Sequence, residues 1–321
     1  MDQHKRADLC VVGSGVAGLT AALTAADQGA QVLLVTEGEP LSGSSRWAQG
    51  GIAAAIDVGD SPDYHAADTV AVGAGLNDAG AVDVLVHEGR LAVTRLLATG
   101  VPFDGGPDHP ELGLEAGHHH RRILHAGGGA TGEKVSAALI GRVLAHDRIR
   151  LVPNTPIDRL IVEAGRVAGV ARGARVFRGP AVVLATGGYA GLWGRTTNPP
   201  TNRGVGLRLA WQAGATLADL EFVQFHPTAL VLAGRPTYLL TEALRGEGAL
   251  LVDGAEQPIV DPLLARDIVA RAIARHLDRQ GPVYLSLRHL DPDFVVRRFP
   301  NIAGRLHAWG LDLAHDLLPV A

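Results

Sequence analysis

Residues 8–37 read DLCVVGSGVAGLTAALTAADQGAQVLLVTE, and the reading of this stretch decides the fold. Asp8–Val12 is a short apolar run suited to a buried parallel strand. Val16–Gln28 is rich in Ala and Leu and suits a helix. Between them, Gly13-Ser14-Gly15-Val16-Ala17-Gly18 has the spacing G-x-G-x-x-G. Gly13 permits a tight turn, Gly15 lets a pyrophosphate approach the backbone, and Gly18 lets the helix pack on the strand. The helix start then offers free N–H groups and a positive dipole end to phosphates. Ala30–Val35 reads as the next strand, and an acidic residue just past it would hold a ribose hydroxyl. Glu37 stands there, with Thr36 as its rival. The uncharged run Leu9–Ala26, preceded by Lys5 and Arg6, has a second reading as a signal peptide or short membrane helix. The glycines near its start would break a spanning helix.

The rest of the 321 residues fits this beginning. With 47% hydrophobic and 19% charged residues, the chain can bury a large core, and its length suggests two domains. A formal charge of −4 calls for neither nucleic acid nor an acidic membrane surface. The single Cys10 excludes an internal disulfide. A cytoplasmic protein with no membrane partner is expected. Val182–Gly188 (VVLATGG) reads as a buried strand ending in Thr186-Gly187-Gly188, a turn that lets backbone come close to a cofactor. Before it, Asp158–Glu163 and Arg166–Ala171 read as a hairpin around Ala164-Gly165, within a β-meander near 155–180. Arg266–Arg279 reads as a helix, with Ile268, Ala272, Ile273 and Leu277 near a 3.6-residue spacing. His118, His119, His120 and His125 look like a metal cluster, but a consecutive triplet cannot easily put every ring on one ion, so no metal is expected.

Six stretches then stand in order: SGSSRWAQGGIAAA (42–55), EAGHHHRRILHAGGGATG (115–132), VVLATGG (182–188), EFVQFHPTAL (221–230), LLTEALRGEG (239–248) and ARDIVARAI (265–273). In this order they resemble the succinate dehydrogenase/fumarate reductase flavoprotein family, over essentially the whole chain. The resemblance implies an α/β fold: a Rossmann-like FAD-binding domain over about 1–219, carrying the β-meander, and an α+β capping domain over about 220–321. It implies FAD contacts at Gly13, Ser14, Gly15, Val16, Ala17 and Gly18, at Glu37, at Ser44, Ser45, Gln49, Gly50 and Gly51, and at Thr186 and Gly187. In the respiratory members a His in the 44–51 loop is joined covalently to FAD. Here that loop holds no His, which implies non-covalent FAD and the soluble branch that oxidises L-aspartate.

Such an oxidation moves a hydride from Cα, and a proton leaves nitrogen. The substrate's two carboxylates need cationic or donor groups, and its amine needs an acceptor. The resemblance implies that His226, Thr241, Glu242, Arg245 and Arg266 supply the site. Arg266 matches an arginine assigned proton transfer; a guanidinium, with a pKa above ~12, better suits orienting and stabilising charge. Glu115 matches an acidic residue that separates the ammonium of aspartate from plain dicarboxylates. The implied product is iminoaspartate, with O₂ (giving H₂O₂) or fumarate as acceptor, passed to quinolinate synthase in the first steps of NAD biosynthesis. Plainer readings make His226 a satisfied loop histidine, Arg245 and Arg266 structural partners of Glu247 and Asp267, and Glu115 a surface residue. Other functions are a soluble fumarate reductase or succinate dehydrogenase-type flavoprotein, and a non-catalytic remnant that binds nucleotide.

Three departures from the family pattern stand out. Gly204-Val205-Gly206 replaces a Gly-Asp-Gly whose Asp touches FAD. The stretch between Gly248 and Arg266 is short. The sequence stops at Ala321, before further FAD and substrate segments, so the C-terminal part of the family fold is expected to be missing and FAD binding by this exact chain to be weak. Gly310–Val320 is expected to run back toward the FAD domain.

Overall fold

The computed structural model describes residues 7–321; Lys5 and Arg6 lie outside the described residues. β1 (Leu9–Val12) has three of its four residues buried, as a strand covered on both faces must. It pairs in parallel with β2 (Val32–Val35) on one side and with Val182–Leu184 on the other. β2 pairs in parallel with Ile149–Val152, completing a four-stranded sheet. Parallel neighbours need crossovers, and α1 (Val16–Asp27) makes the first.

The meander is present as Arg159–Glu163, Arg166–Arg172 and Arg175–Arg178, antiparallel throughout. Its hairpin turns at Ala164 (φ 50°) and Gly165 (φ 74°). Two consecutive positive φ values give the turn twist that matches a two-residue hairpin. Val170 and Phe177 of the meander join Cys10, Val12, Leu33 and Val35 of the parallel sheet in one apolar cluster, so the insertion is packed against the sheet.

The chain divides into two compact units. One holds the residues up to Trp47 together with Gly132–Val223; the other holds Ala48–Thr131 and Gln224–Ala321. The expected division near 219 thus lies close to the second boundary, but residues 48–131 cluster with the later unit. They form an insertion between β2 and the next parallel strand, Ile149–Val152. Its short strands Ile52–Ala53, Leu112–Gly113 and Ile123–Leu124 pair with one another. Asn301 binds it from the later segment, donating to the carbonyls of Gly127 and Gly128 at 2.9 and 3.2 Å. Local periodicity carries no sign of such a long-range attachment.

The second unit is built on a six-stranded antiparallel sheet in the order Tyr238–Leu239, Ala229–Leu230, Leu318–Val320, Val283–Ser286, Leu250–Val252, Pro258–Val260. The expectation for Gly310–Val320 is corrected here. Leu318 and Val320 enter the core of this unit, and their strand lies between two others, where its apolar side chains and backbone groups are both satisfied. The helix Arg266–Arg279 has the expected span, but its inner face is Val269, Ile273 and His276. Ile268 and Leu277 are exposed; a spacing rule that admits every apolar residue cannot tell adjacent faces apart. No helix among the described residues is long and apolar enough to cross a membrane.

Candidate functional site

In the first unit the glycine turn is dictated by backbone contacts. A Cβ on Gly13, whose φ is +111°, would lie 2.2 Å from the carbonyl oxygen of Ala185. A Cβ on Gly18 would lie 1.8 Å from the carbonyl oxygen of Gly13. Neither neighbour is a side chain that could swing away. α1 starts after Gly15 without a side-chain cap of its own. Instead the Val16 N–H donates to Ser45 Oγ at 3.1 Å, and Ser14 Oγ donates to Thr36 Oγ1 at 2.9 Å.

Gly13, Ser14, Gly15, Thr36, Ser45 and Ala185 line a cavity of about 590 Å³, together with Ala17, Glu37, Ser44, Thr186 and Gly187, a size in the range of small-molecule clefts; Val16 and Gly18 are not among its lining residues. Thr36 is buried and its hydroxyl is engaged by Ser14. Glu37 is exposed at the cavity. Asn202 was not singled out from the sequence. Its Nδ2 donates to Ser44 Oγ and Asn198 Oδ1, both at 3.0 Å, while its Oδ1 is buried with no partner. The turn-forming run Asn198-Pro-Pro-Thr-Asn202 was the available signal. Val205 also lines the cavity, and a Cβ on Gly206 would lie 2.1 Å from Thr186 Oγ1, so that side chain would have to turn aside. The turn of the family pattern is kept without its carboxylate.

Gln49, Gly50 and Gly51 belong to the second unit and are not among the residues lining this cavity. A Cβ on Gly51 would lie 2.4 Å from Ile123 Cγ2 and 2.5 Å from the carbonyl oxygen of Leu124. Its bareness allows the local strand pairing, and its amide helps to favour the charged form of the Glu115 carboxylate.

The second unit gathers charged side chains from distant segments. Glu242, at the first turn of the short helix Glu242–Gly246, is buried and lies between two arginines. Arg266 Nε donates to Glu242 Oε2 at 2.5 Å, and Arg245 Nη2 stands 3.3 Å from Glu242 Oε1. Arg245 is fully buried; its Nη1 donates to the Pro262 carbonyl at 2.5 Å, whereas Nε and Nη2 have no hydrogen-bond partner among the described residues. Burial, reinforced by Arg266, pulls its pKa down against the pull of Glu242 and Glu115. Arg266 also donates from Nη1 to Gln224 Oε1 at 2.8 Å. The acids next to these arginines in sequence are engaged elsewhere: Glu247 with Arg298 at 3.0 Å and Asp267 with Arg271 at 2.6 Å.

His226 Nδ1 accepts the Thr228 N–H at 3.2 Å, which leaves Nε2 to carry the proton of the neutral ring. Burial, then the charges of Arg266 and Arg245, lower its pKa to about 3. Thr241 is buried immediately before Glu242. Glu115 is largely covered, and its Oε1 has no hydrogen-bond partner, with His125 Nε2 3.6 Å away. Desolvation and then the Glu242 charge raise its pKa, against the opposing pull of Arg266 and Arg245. Two guanidinium groups, one shared carboxylate and one unsatisfied carboxylate oxygen can together receive a small molecule bearing carboxylates and a cationic amine.

The histidine run serves a different arrangement. Fully buried Arg122 makes two parallel bonds to Asp60, from Nε and Nη2 at 2.8 Å each, and a third from Nη1 to Asp68 at 2.7 Å. His119 Nδ1 lies 2.5 Å from Asp68 Oδ1, His118 Nδ1 lies 3.2 Å from Arg122 Nη1, and His120 stacks on Tyr64. The three rings go to three different partners. Sequence reasoning missed Arg122 as an anchor of the Glu115 loop because Asp60 and Asp68 are far away along the chain.

Residues 8–319 match the family model described as FAD binding domain. The chain belongs to this family. The glycine cradle fits the family's cofactor: Gly13 and Gly15 line the cavity with bare backbone, and Cβ atoms at Gly13 and Gly18 would collide with the carbonyls that shape the turn. Among relatives, the chain is 46% identical to an L-aspartate oxidase of Streptomyces coelicolor, covering 98% of this chain and 58% of the relative. It is 42% identical to an L-aspartate oxidase of Synechocystis, covering 98% and 60%. Among solved structures it is similar to the E. coli quinol fumarate reductase FrdA, with a TM-score of 0.90 and 30% identity over 98% of this chain and 59% of that one. The chain therefore spans about 60% of the length of the relatives it matches.

Proposed function

We propose that this chain carries the nucleotide cradle and much of the substrate chemistry of an FAD-dependent L-aspartate oxidase. The observation that carries the reading is the pairing of buried Arg245 and half-buried Arg266 around Glu242, with N–H groups on Arg245 and an oxygen on Glu115 that have no hydrogen-bond partner. The first offers charge-assisted bonds to a carboxylate; the second accepts from an ammonium. The relatives' names point the same way.

In this reading the residues up to Trp47 with 132–223 hold non-covalent FAD, which supplies the two-electron acceptor when bound. Gly13 to Gly18 with Ser44 and Ser45 receive the pyrophosphate, Glu37 the ribose, and the Thr186-Gly187 turn gives close backbone approach. Gln49, Gly50 and Gly51 contribute through the second unit, Gly51 by fixing Glu115. Arg245 and Arg266 orient the dicarboxylate, and Glu242 keeps the two cations side by side. Neutral His226 donates a hydrogen bond from Nε2, and Thr241 adds a hydroxyl. Glu115 holds the ammonium. Oxidation gives iminoaspartate, with O₂ reduced to H₂O₂ or fumarate taking the electrons. A cytoplasmic setting and hand-over of the product to quinolinate synthase, at the start of NAD biosynthesis, belong to the same proposal.

The second reading, a fumarate reductase or succinate dehydrogenase-type flavoprotein, is favoured by the structural similarity. The unsatisfied Glu115 oxygen argues against it, because a plain dicarboxylate has no N–H to offer. Anaerobic mixing of the flavin-loaded protein with L-aspartate or succinate separates them. Bleaching of flavin absorbance by L-aspartate and not by succinate is expected, and the reverse selectivity would overturn the reading.

A further inference from the structure

Glu115 is paired with His125, a side chain that the assignments above leave unused. His125 Nε2 lies 3.6 Å from Glu115 Oε1, with both side chains nearly buried. The ring occupies a space bounded by glycines. A Cβ on Gly51 would meet Cε1 at 3.1 Å, and one on Gly113 would meet Nε2 at 3.2 Å. The ring also lines a cavity of about 40 Å³, in which Gln49, Tyr238, Thr241, Arg298 and Asn301 place polar groups among apolar neighbours such as Ala243, Phe299 and Ile302, and which has room for a water.

Resting on the reading of the site as one for an amino dicarboxylate, we propose that Glu115 and His125 form a proton relay out of that site. Both Glu242 oxygens face arginines, so Glu115 Oε1 is the carboxylate oxygen of the cluster left to accept from an ammonium. One ammonium N–H bond breaks as an O–H bond forms on Glu115. That O–H bond breaks as Nε2–H forms on His125, and the imidazolium releases a proton through the small cavity. No electrons move in these steps. Glu115 would touch the substrate; His125 acts through it and is a positioning and relay residue. A separation of 3.6 Å suits such a pair, since proton-transfer contacts often tighten only with substrate in place.

The charges around the pair support an even transfer. Burial and Glu242 raise the Glu115 pKa, opposed by Arg266, the Gly51 amide and Arg245. Burial and Arg298 lower that of His125, opposed by Asp104 and Glu111. The carboxyl is made a weaker acid and the imidazole a weaker base, which draws their proton affinities toward each other.

The test uses the complete flavin-loaded protein and its His125→Gln and His125→Asn variants. Oxidation of L-aspartate is compared with reduction of fumarate, which has no amine to deprotonate. The ratio of the two rates should fall about 100-fold in both variants, and the loss should shrink as rising pH deprotonates free substrate amine. An unchanged ratio, with both reactions intact or both reduced alike, would overturn the relay and leave His125 a packing residue. Wild-type protein inert to L-aspartate would overturn the functional reading and the relay with it.

Discussion

On the proposed reading, the glycine cradle of the first unit and the Glu242 cluster of the second both receive anionic groups, by opposite means. In the cradle the determinants are atoms that are not there: Cβ atoms at Gly13 and Gly18 would collide with fixed carbonyls. In the cluster the determinants are charged side chains, buried and held in one another's fields, with Arg245 and Glu242 both almost inaccessible to solvent. Backbone recognition costs little desolvation and tolerates changes among neighbouring side chains. Side-chain recognition gathers more charge but stakes the local fold on each partner. Mutations should therefore divide sharply between the two regions.

The largest effect is expected at Glu242. Glu242→Ala removes the shared counter-charge of Arg245 and Arg266, and stranding buried charge costs about 3–5 kcal/mol. Urea unfolding should show the loss, while flavin affinity should change far less; equal damage to both would erase the distinction between regions. Next comes Gly18→Ala in the cradle. With 1.8 Å between the new Cβ and the Gly13 oxygen, the helix must shift, at about 1–3 kcal/mol. Flavin affinity, read by fluorescence titration, should weaken by about 10- to 100-fold. Unaltered affinity would mean that the turn is softer than its contacts imply.

The same contrast explains what could be read from the chain alone. Gly13, Gly15 and Gly18 lie within six residues of each other, between a strand and a helix whose periodicities are local, so the cradle was legible. The meander turn at Ala164-Gly165 was legible for the same reason. Glu115, His226, Glu242, Arg245 and Arg266 carry no mutual spacing that marks a site; only the family resemblance brought them together on paper. Their pairing escaped even that: Arg245 and Arg266 turn from the sequence neighbours Glu247 and Asp267 to Glu242. The attachment of 48–131 to the second unit and the burial of Leu318–Val320 in its sheet were hidden too. Both are set by partners remote in sequence.

A third test uses pH. His226 has an ordinary pKa of 6.5 and a folded value of about 3. Between these values the unfolded chain takes up a proton that the native ring refuses. Stability should therefore fall as pH drops below about 6.5, at up to roughly 1.4 kcal/mol per pH unit from this residue. Above that pH the contribution is constant. His226→Asn, whose side-chain oxygen can still accept the Thr228 N–H, should flatten the difference in slope between pH 6 and 4. Parallel curves for both proteins would mean that the ring is charged, or more open to water than its position suggests.

The smallest expected effect probes whether any side chain of the cradle matters as those of the cluster do. Ser45 Oγ accepts the Val16 N–H at 3.1 Å, doing for α1 what an N-cap would do from 29 residues away in sequence. Ser45→Ala frees one N–H at a helix start that already lies beside a cavity, where water can replace the hydroxyl. The loss should be about 1 kcal/mol, the usual value of a cap. Flavin affinity should move less than for Gly18→Ala, because the backbone path from Gly13 to Gly18 is untouched. A larger loss of affinity for Ser45→Ala than for Gly18→Ala would reverse the comparison, making the hydroxyl, rather than the bare turn, the main recognition element of the cradle.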